Sequence, residues 1–164
     1  YGGVYFDTAV EVVRDISPLL DDEGFIGFEN DQCVASGLTI AAIAHHPIIQ
    51  AMIEEYKKLH FTNADGSMNA VGCPHLNSDV MERFGLVRRG QEQVVAGLHV
   101  YPADYFNPLD SVTGRLNKTE NTYSIHWYSM SWLPWYKQIK AKLGRIVRRA
   151  ANAMFRSGEK TCQK

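Results

Sequence analysis

Apolar and polar positions change over in short blocks along this chain. Residues 4–6 and 10–13 are β-branched and aromatic runs on either side of Asp7-Thr8-Ala9, which predicts two strand pieces broken by a polar kink, with Asp7 at a strand end. Ser17-Pro18, Asp21-Asp22 and Gly24 mark a turn region, and residues 25–28 predict a strand running into polar Glu29-Asn30-Asp31. Residues 34–44 are apolar around Ser36-Gly37 and read as strand in preference to the start of a helix. From Pro47, apolar Ile48, Ile49, Met52, Ile53, Tyr56 and Leu59 recur at helical spacing, while Glu54, Glu55, Lys57 and Lys58 fill the other face. Residues 63–72 read as a loop, after which Asn77 or Ser78 is placed to cap a short helix that stops at Gly85. Residues 94–101 and 123–127 predict strands around an irregular segment, and a last helix is expected over 134–154.

With 164 residues, 45% of them hydrophobic, and no repeat, low-complexity tract or linker, the chain is expected to form one globular domain over 1–164. Seventeen basic and eighteen acidic residues leave a formal charge of -1, which gives no global reason to expect nucleic acid as a partner. The distribution says more than the sum. Asp7, Glu11, Asp15, Asp21, Asp22, Glu23, Glu29 and Asp31 crowd the start of the chain against the single Arg14, whereas residues 121–158 contain no acid. Cys33, Cys73 and Cys162 are odd in number and widely spaced, forming neither a disulfide framework nor a CxxC motif, so a cytoplasmic setting is expected. No apolar run approaches the roughly 18 residues that cross a bilayer.

Oxygen ligands suit magnesium or manganese, and a rigid strand end that carries a carboxylate is a good place to hold such a cation; Asp7 is so placed. The plainer reading of Asp7 is a turn aspartate capping a neighbour. The wider string Gly2-Gly3-Val4-Tyr5-Phe6-Asp7-Thr8-Ala9-Val10-Glu11-Val12 resembles the signature of the DXD-containing glycosyltransferases of capsular polysaccharide synthesis, which read close to GGxYxDTDVEV. The resemblance continues in order through Phe25-Ile26-Gly27-Phe28-Glu29, Tyr101-Pro102-Ala103-Asp104-Tyr105-Phe106 and Asn121-Thr122-Tyr123-Ser124-Ile125-His126, then Tyr128-Ser129-Met130-Ser131-Trp132. It covers most of the chain up to Trp132.

The resemblance implies an α/β fold of the GT-A type, a Rossmann-like mixed sheet with flanking helices that binds a nucleotide sugar at the C-terminal ends of its strands. It implies transfer of a hexose from a uridine or guanosine diphosphate sugar to a glycan or lipid-linked acceptor, with retention at the anomeric carbon. Mn2+ or Mg2+ would neutralise the departing diphosphate. By position Asp7 matches the first motif aspartate and His126 a late metal ligand, the two converging on the donor diphosphate. Ser131 and Trp132 match a loop that closes over that diphosphate, with Trp132 among the catalytic residues. The chain opens at Tyr1, and the resemblance implies that the half of the sheet holding base and ribose precedes it, making this the C-terminal portion of a catalytic domain.

Two departures accompany the likeness. Ala9 occupies the place of the second motif aspartate, and Trp127 stands where relatives often carry a second histidine. Loss of a side chain that merely hydrogen-bonds a metal ligand costs roughly 10–100-fold in metal affinity, so loss of a carboxylate ligand should cost at least as much. Glu11 lies two residues further on and would share a strand face with Ala9. The rival expectation is therefore a degenerate module that binds sugar or nucleotide without turnover, or an interaction piece that self-associates through an exposed strand edge.

The remaining candidates are weaker. Ser36-Gly37 lets backbone approach a donor or acceptor sugar; Asn77 and Asp79 suit a bond to a sugar hydroxyl or, as the better reading, a helix start, and the resemblance keeps Asp79 as a position for the acceptor. Adjacent His45 and His46 diverge and suit helix entry better than metal binding, and His60, His75 and His99 need no function. The C-terminal helix sets Ile139, Leu143, Ile146, Val147, Ala150 and Met154 on one face and Lys137, Lys140, Lys142, Arg145, Arg148 and Arg149 on the rest. Such a helix can lie on the inner face of an anionic membrane, or pack on its own domain with the basic face solvated.

Overall fold

A computed structural model describes residues 1–69 and 71–129, together with 135, 136, 139, 140, 143, 144 and 147 of the C-terminal stretch. The chain is mixed α/β. Its main sheet runs in the order β1 (Gly3–Phe6), β5 (Thr39–Ala42), β3 (Gly24–Asn30), β7 (Leu98–Tyr101), β6 (Gln93–Val95), with β4 (Cys33–Val34) added to β3 beyond a register shift. Because β5 is antiparallel to both β1 and β3, and β7 is parallel to β3, the strands β1, β3 and β7 all point the same way.

Strand β3 is the spine of this sheet, buried from Gly24 to Phe28. Its side chains alternate between two cores, as the two-residue period of a strand requires. Ile26 and Phe28 face α1 (Pro47–Lys57) and α2 (Cys73–Glu82), packing with Ile48, Met52, Val80 and Met81. Phe25 faces the opposite layer, where it stacks on Phe106 of the short α3 (Ala103–Phe106) at 5.4 Å between ring centroids. Gly27 permits that contact, since a Cβ there would lie 2.5 Å from the Phe106 ring.

Helix α1 starts as its sequence suggests. His46 is buried and its Nδ1 accepts from the Ile48 N–H at 3.2 Å, followed by Pro47 in the first turn, where a missing N–H leaves nothing unsatisfied. The apolar stripe of α1 is wider than its buried face, since Ile53 and Tyr56 remain exposed.

Three expectations are corrected. Helix α2 begins at Cys73 with Gly72 as its N-cap, so Asn77 and Ser78 lie in its interior and cap nothing. Pro74 is tolerated in the first turn for the same reason as Pro47, and buried Ser78 donates back to the Pro74 carbonyl (2.6 Å) while accepting from the Val34 N–H (3.0 Å). The apolar run 94–101 is not one strand but the hairpin β6–β7, turned at Ala96 and Gly97, both with positive φ. Residues 34–44 likewise divide into β4 and β5 around a turn in which the Leu38 N–H donates to the Ala35 carbonyl.

The strand expected over 123–127 forms as β8 (Ser124–His126), but it pairs with β2 (Val10–Val12) in a separate two-stranded antiparallel sheet. This small sheet is tied to α3 by the Tyr123 N–H donating to the Tyr105 carbonyl (2.8 Å) and the Thr122 hydroxyl to the Asp104 carbonyl (2.9 Å). No described helix is long and apolar enough to cross a membrane.

Candidate functional site

Chemistry-bearing side chains gather where β1 and β3 end in the same direction and β8 passes beside them. Asp7 follows the last residue of β1 and is half-buried. Its Oδ1 accepts from the Ala9 N–H (2.8 Å) and its carbonyl from the Val10 N–H (3.0 Å), so the Asp7-Thr8-Ala9 kink is an aspartate-stabilised turn. The kink leads into β2, whose register places Val10 opposite His126. The Trp127 N–H then donates to the Ala9 carbonyl (2.9 Å), locking the end of β8 onto the turn.

This pairing brings His126 within electrostatic reach of Asp7. Burial pushes the His126 imidazole below its ordinary value and the Asp7 carboxylate pulls part of the way back, leaving a ring that is more readily neutral than a free histidine. Its Nδ1 is buried and has no hydrogen-bond partner. The edge of the ring meets Tyr128 at 4.2 Å between centroids.

Tyr128 extends the site to β3. Its single hydroxyl proton has two acceptors in reach, Asn107 Oδ1 (3.0 Å) and Glu29 Oε1 (3.3 Å), while Asn107 Nδ2 donates to the Glu29 carbonyl (2.9 Å). Burial, with the Glu29 charge beside it, raises the Tyr128 phenol to about 12, so it stays protonated and remains a donor at neutral pH. A cleft of about 510 Å³ opens next to these groups, lined in part by Glu29, Asp104, Asn107, Asp110 and Tyr128.

Helix α2 contributes from a third side. Asn77 is fully buried; its Nδ2 donates to Ser36 Oγ (2.8 Å) and its Oδ1 is without a partner. Cys73 lies against Gly37, and burial raises its thiol, with further contributions from the charges of Glu29 and Asp7. Asp7, Glu29, Ser36, Gly37, Cys73 and Asn77 therefore belong to one neighbourhood, built from the ends of β1 and β3, the β4–β5 turn and the first half of α2.

Asp79 does not join it in the same way. It is exposed on α2 and ion-paired with Arg88, which also bonds Glu82 at 2.8 Å. Ser131 and Trp132 lie outside the described residues. The sequence offered Asn77 as a helix cap or a partner for a sugar hydroxyl, and gave Glu29, Asn107 and Tyr128 no role; the one signal for these three was the position of Glu29 at a strand end, matching that of Asp7.

The residues present do not by themselves fit a metal ion. Asp7 and His126 offer two donors, Ala9 offers a methyl group, and Glu11 is turned to the Trp127 indole, whose Nε1–H donates to its Oε2 at 2.8 Å. Among the described residues no three His, Cys, Asp or Glu side chains assemble a cation site. A second cleft, of about 400 Å³, is apolar and lies between β1, β5 and α1, lined by Tyr5, Ile43, Ile49 and Ile53 among others; it includes none of these groups.

No family model matches the chain, and neither the curated proteins nor the solved structures include a significant match to it.

Proposed function

We propose that this chain belongs to a GT-A glycosyltransferase catalytic domain, and that the Asp7–His126 neighbourhood receives a nucleotide diphosphate hexose. The observation that carries the reading is the approach of the Asp7 carboxylate, at the C-terminal edge of the main sheet just past β1, and the half-buried imidazole of His126, 119 positions away at the end of β8 in the small antiparallel sheet. Open α/β sheets bind ligands at that edge. The ordered segments described above, from the Gly2–Val12 string through Trp132, support the same assignment.

In this reading each side chain has a separable task. Neutral His126 donates from one ring nitrogen to a phosphate oxygen. Asp7 and the free Asn77 Oδ1 accept from sugar hydroxyls, and Ser36-Gly37 lets the sugar come close to backbone. Glu29 and Tyr128 border the cleft on the side where a glycan or lipid-linked acceptor would enter. The activity of the family is hexose transfer with retention. With Ala9 in place the chain lacks the ligand set that would offset the charge of a departing diphosphate, so donor binding with little turnover is expected.

Calorimetric titration with a uridine and a guanosine diphosphate hexose tests this. One donor should bind, and His126→Ala should weaken it roughly tenfold or more, the worth of a hydrogen bond to a charged group. A folded chain that binds neither donor, with or without manganese, would refute the proposal. The second reading, a degenerate module that binds sugar or nucleotide, is favoured by Ala9 and would show as binding indifferent to metal even after Ala9→Asp.

A further inference from the structure

The C-terminal stretch has apolar side chains that are exposed among the described residues. Positions 135, 136, 139, 140, 143, 144 and 147 are helical, and Trp135, Ile139, Leu143 and Val147 follow one another at four-residue spacing. Residues at that spacing share one side of a helix. All four are exposed, by 74%, 48%, 56% and 66%, and Tyr136 beside them by 55%. A helix that packs on its own domain buries such a stripe, whereas here the stripe faces solvent. Contiguous exposed apolar surface of this kind marks an interaction site.

Charge selects the partner. Residues 121–158 carry Lys137, Lys140, Lys142, Arg145, Arg148, Arg149 and Arg156 and no acid at all. Association of two copies through this helix would bring one set of cations onto another. An anionic lipid surface meets both requirements at once, taking the apolar stripe into the acyl boundary and pairing the cations with headgroups. The aromatic pair Trp135 and Tyr136 suits the headgroup level. With cations recurring along its whole length, such a helix would lie in the plane of the interface.

We infer that the C-terminal helix is a membrane-surface anchor that recognises anionic lipid. The inference is independent of the transferase reading, since it rests on no residue of the Asp7–His126 site. Sedimentation of the full chain with vesicles of phosphatidylcholine alone, and of phosphatidylcholine mixed with phosphatidylserine, provides the test. Binding should appear with the mixed vesicles, fall steeply as salt is raised, and be lost in Ile139→Ser/Leu143→Ser. Lys140→Gln/Lys142→Gln should weaken it about tenfold or more, from the loss of two positive charges. Equal binding to both vesicle types would overturn the inference, as would mixed-vesicle binding that survives the Ile139/Leu143 pair. A chain that leaves the vesicles in solution and instead self-associates, with sedimentation-velocity dimers abolished by the same pair, would assign the face to a second copy. Circular dichroism of each variant separates lost binding from lost folding.

Discussion

The Ala9 methyl group stands two residues from a carboxylate whose Oδ1 its own N–H already occupies. Asp7 is thus at once a turn residue and a candidate ligand, and the turn role needs only its Oδ1. Ala9→Asp supplies a second carboxylate on the same short turn. It should raise manganese affinity by roughly 10–100-fold, the range that ligand-shell changes command, and Asp7→Asn in that background should remove the gain while keeping the turn. An unchanged calorimetric manganese isotherm for Ala9→Asp would rule out a metal at this position.

His126 makes a prediction of opposite character, about protons. Its folded value lies below the ordinary 6.5, so the unfolded chain binds the proton more readily. Stability linked to this group is therefore complete above about pH 6.5 and is lost as pH falls through the lowered folded value. Glu55 acts in a different window: held down to about 2 by hydrogen bonds from Arg83 and Lys58, its contribution fades only below its ordinary 4.5. His126→Asn should flatten the decline of the urea midpoint between about pH 7 and pH 5. A midpoint that falls as steeply as in the unaltered chain would show that His126 is not the group responsible.

At the scale of elements, the site depends on how α3 sits on β3. Phe106 holds α3 down through Phe25 and through the space left by Gly27, and the next residue, Asn107, reaches both Glu29 and Tyr128. Gly27→Ala places a methyl against the Phe106 ring and should cost about 1–3 kcal/mol, the usual penalty of overpacking. Phe106→Ala should cost about 3–5 kcal/mol and loosen Asn107 with it. Urea denaturation measures both, and an unaltered midpoint for Gly27→Ala would mean that α3 can shift freely. The β6–β7 turn offers the reverse test. Ala96 adopts φ 47 in a two-residue turn whose positive φ values suit Asn or Gly, so Ala96→Asn should stabilise the chain, by on the order of 0.5–1 kcal/mol. A lower melting temperature for that variant would exclude strain at Ala96.

Over the whole molecule, protection should follow the layering. Strand β3 is covered on both faces, whereas β1 is exposed at Val4 and Tyr5 and β2 at Val12. Amide hydrogen exchange should be slowest in residues 25–28 and faster by orders of magnitude in β1 and β2, since local opening there exposes little apolar surface. Comparable protection across all three strands would indicate that β1 and β2 are covered in solution. The acidic beginning and basic end of the chain add a division of labour: the former supplies Asp7 and Glu29 to the candidate site, the latter carries the proposed anchor.

The strands β1, β2 and β3 and the helix α1 with its His46 entry were legible in the sequence, because each depends on local periodicity and on turn residues at fixed offsets, whereas the α/β class came with the resemblance. Asp7 was a candidate from its place at a strand end as well as by resemblance, and His126 by resemblance alone. What no periodicity encodes is which segments meet: that β8 leaves the main sheet to pair with β2, that Asn77 points inward from the interior of a helix instead of capping it, or that Tyr128 bridges to Glu29. Asp79, the acceptor candidate, is met by Arg88 for the same reason. Such contacts join residues far apart along the chain, and their free energy comes from burial and hydrogen bonds that exist only once the layers have packed.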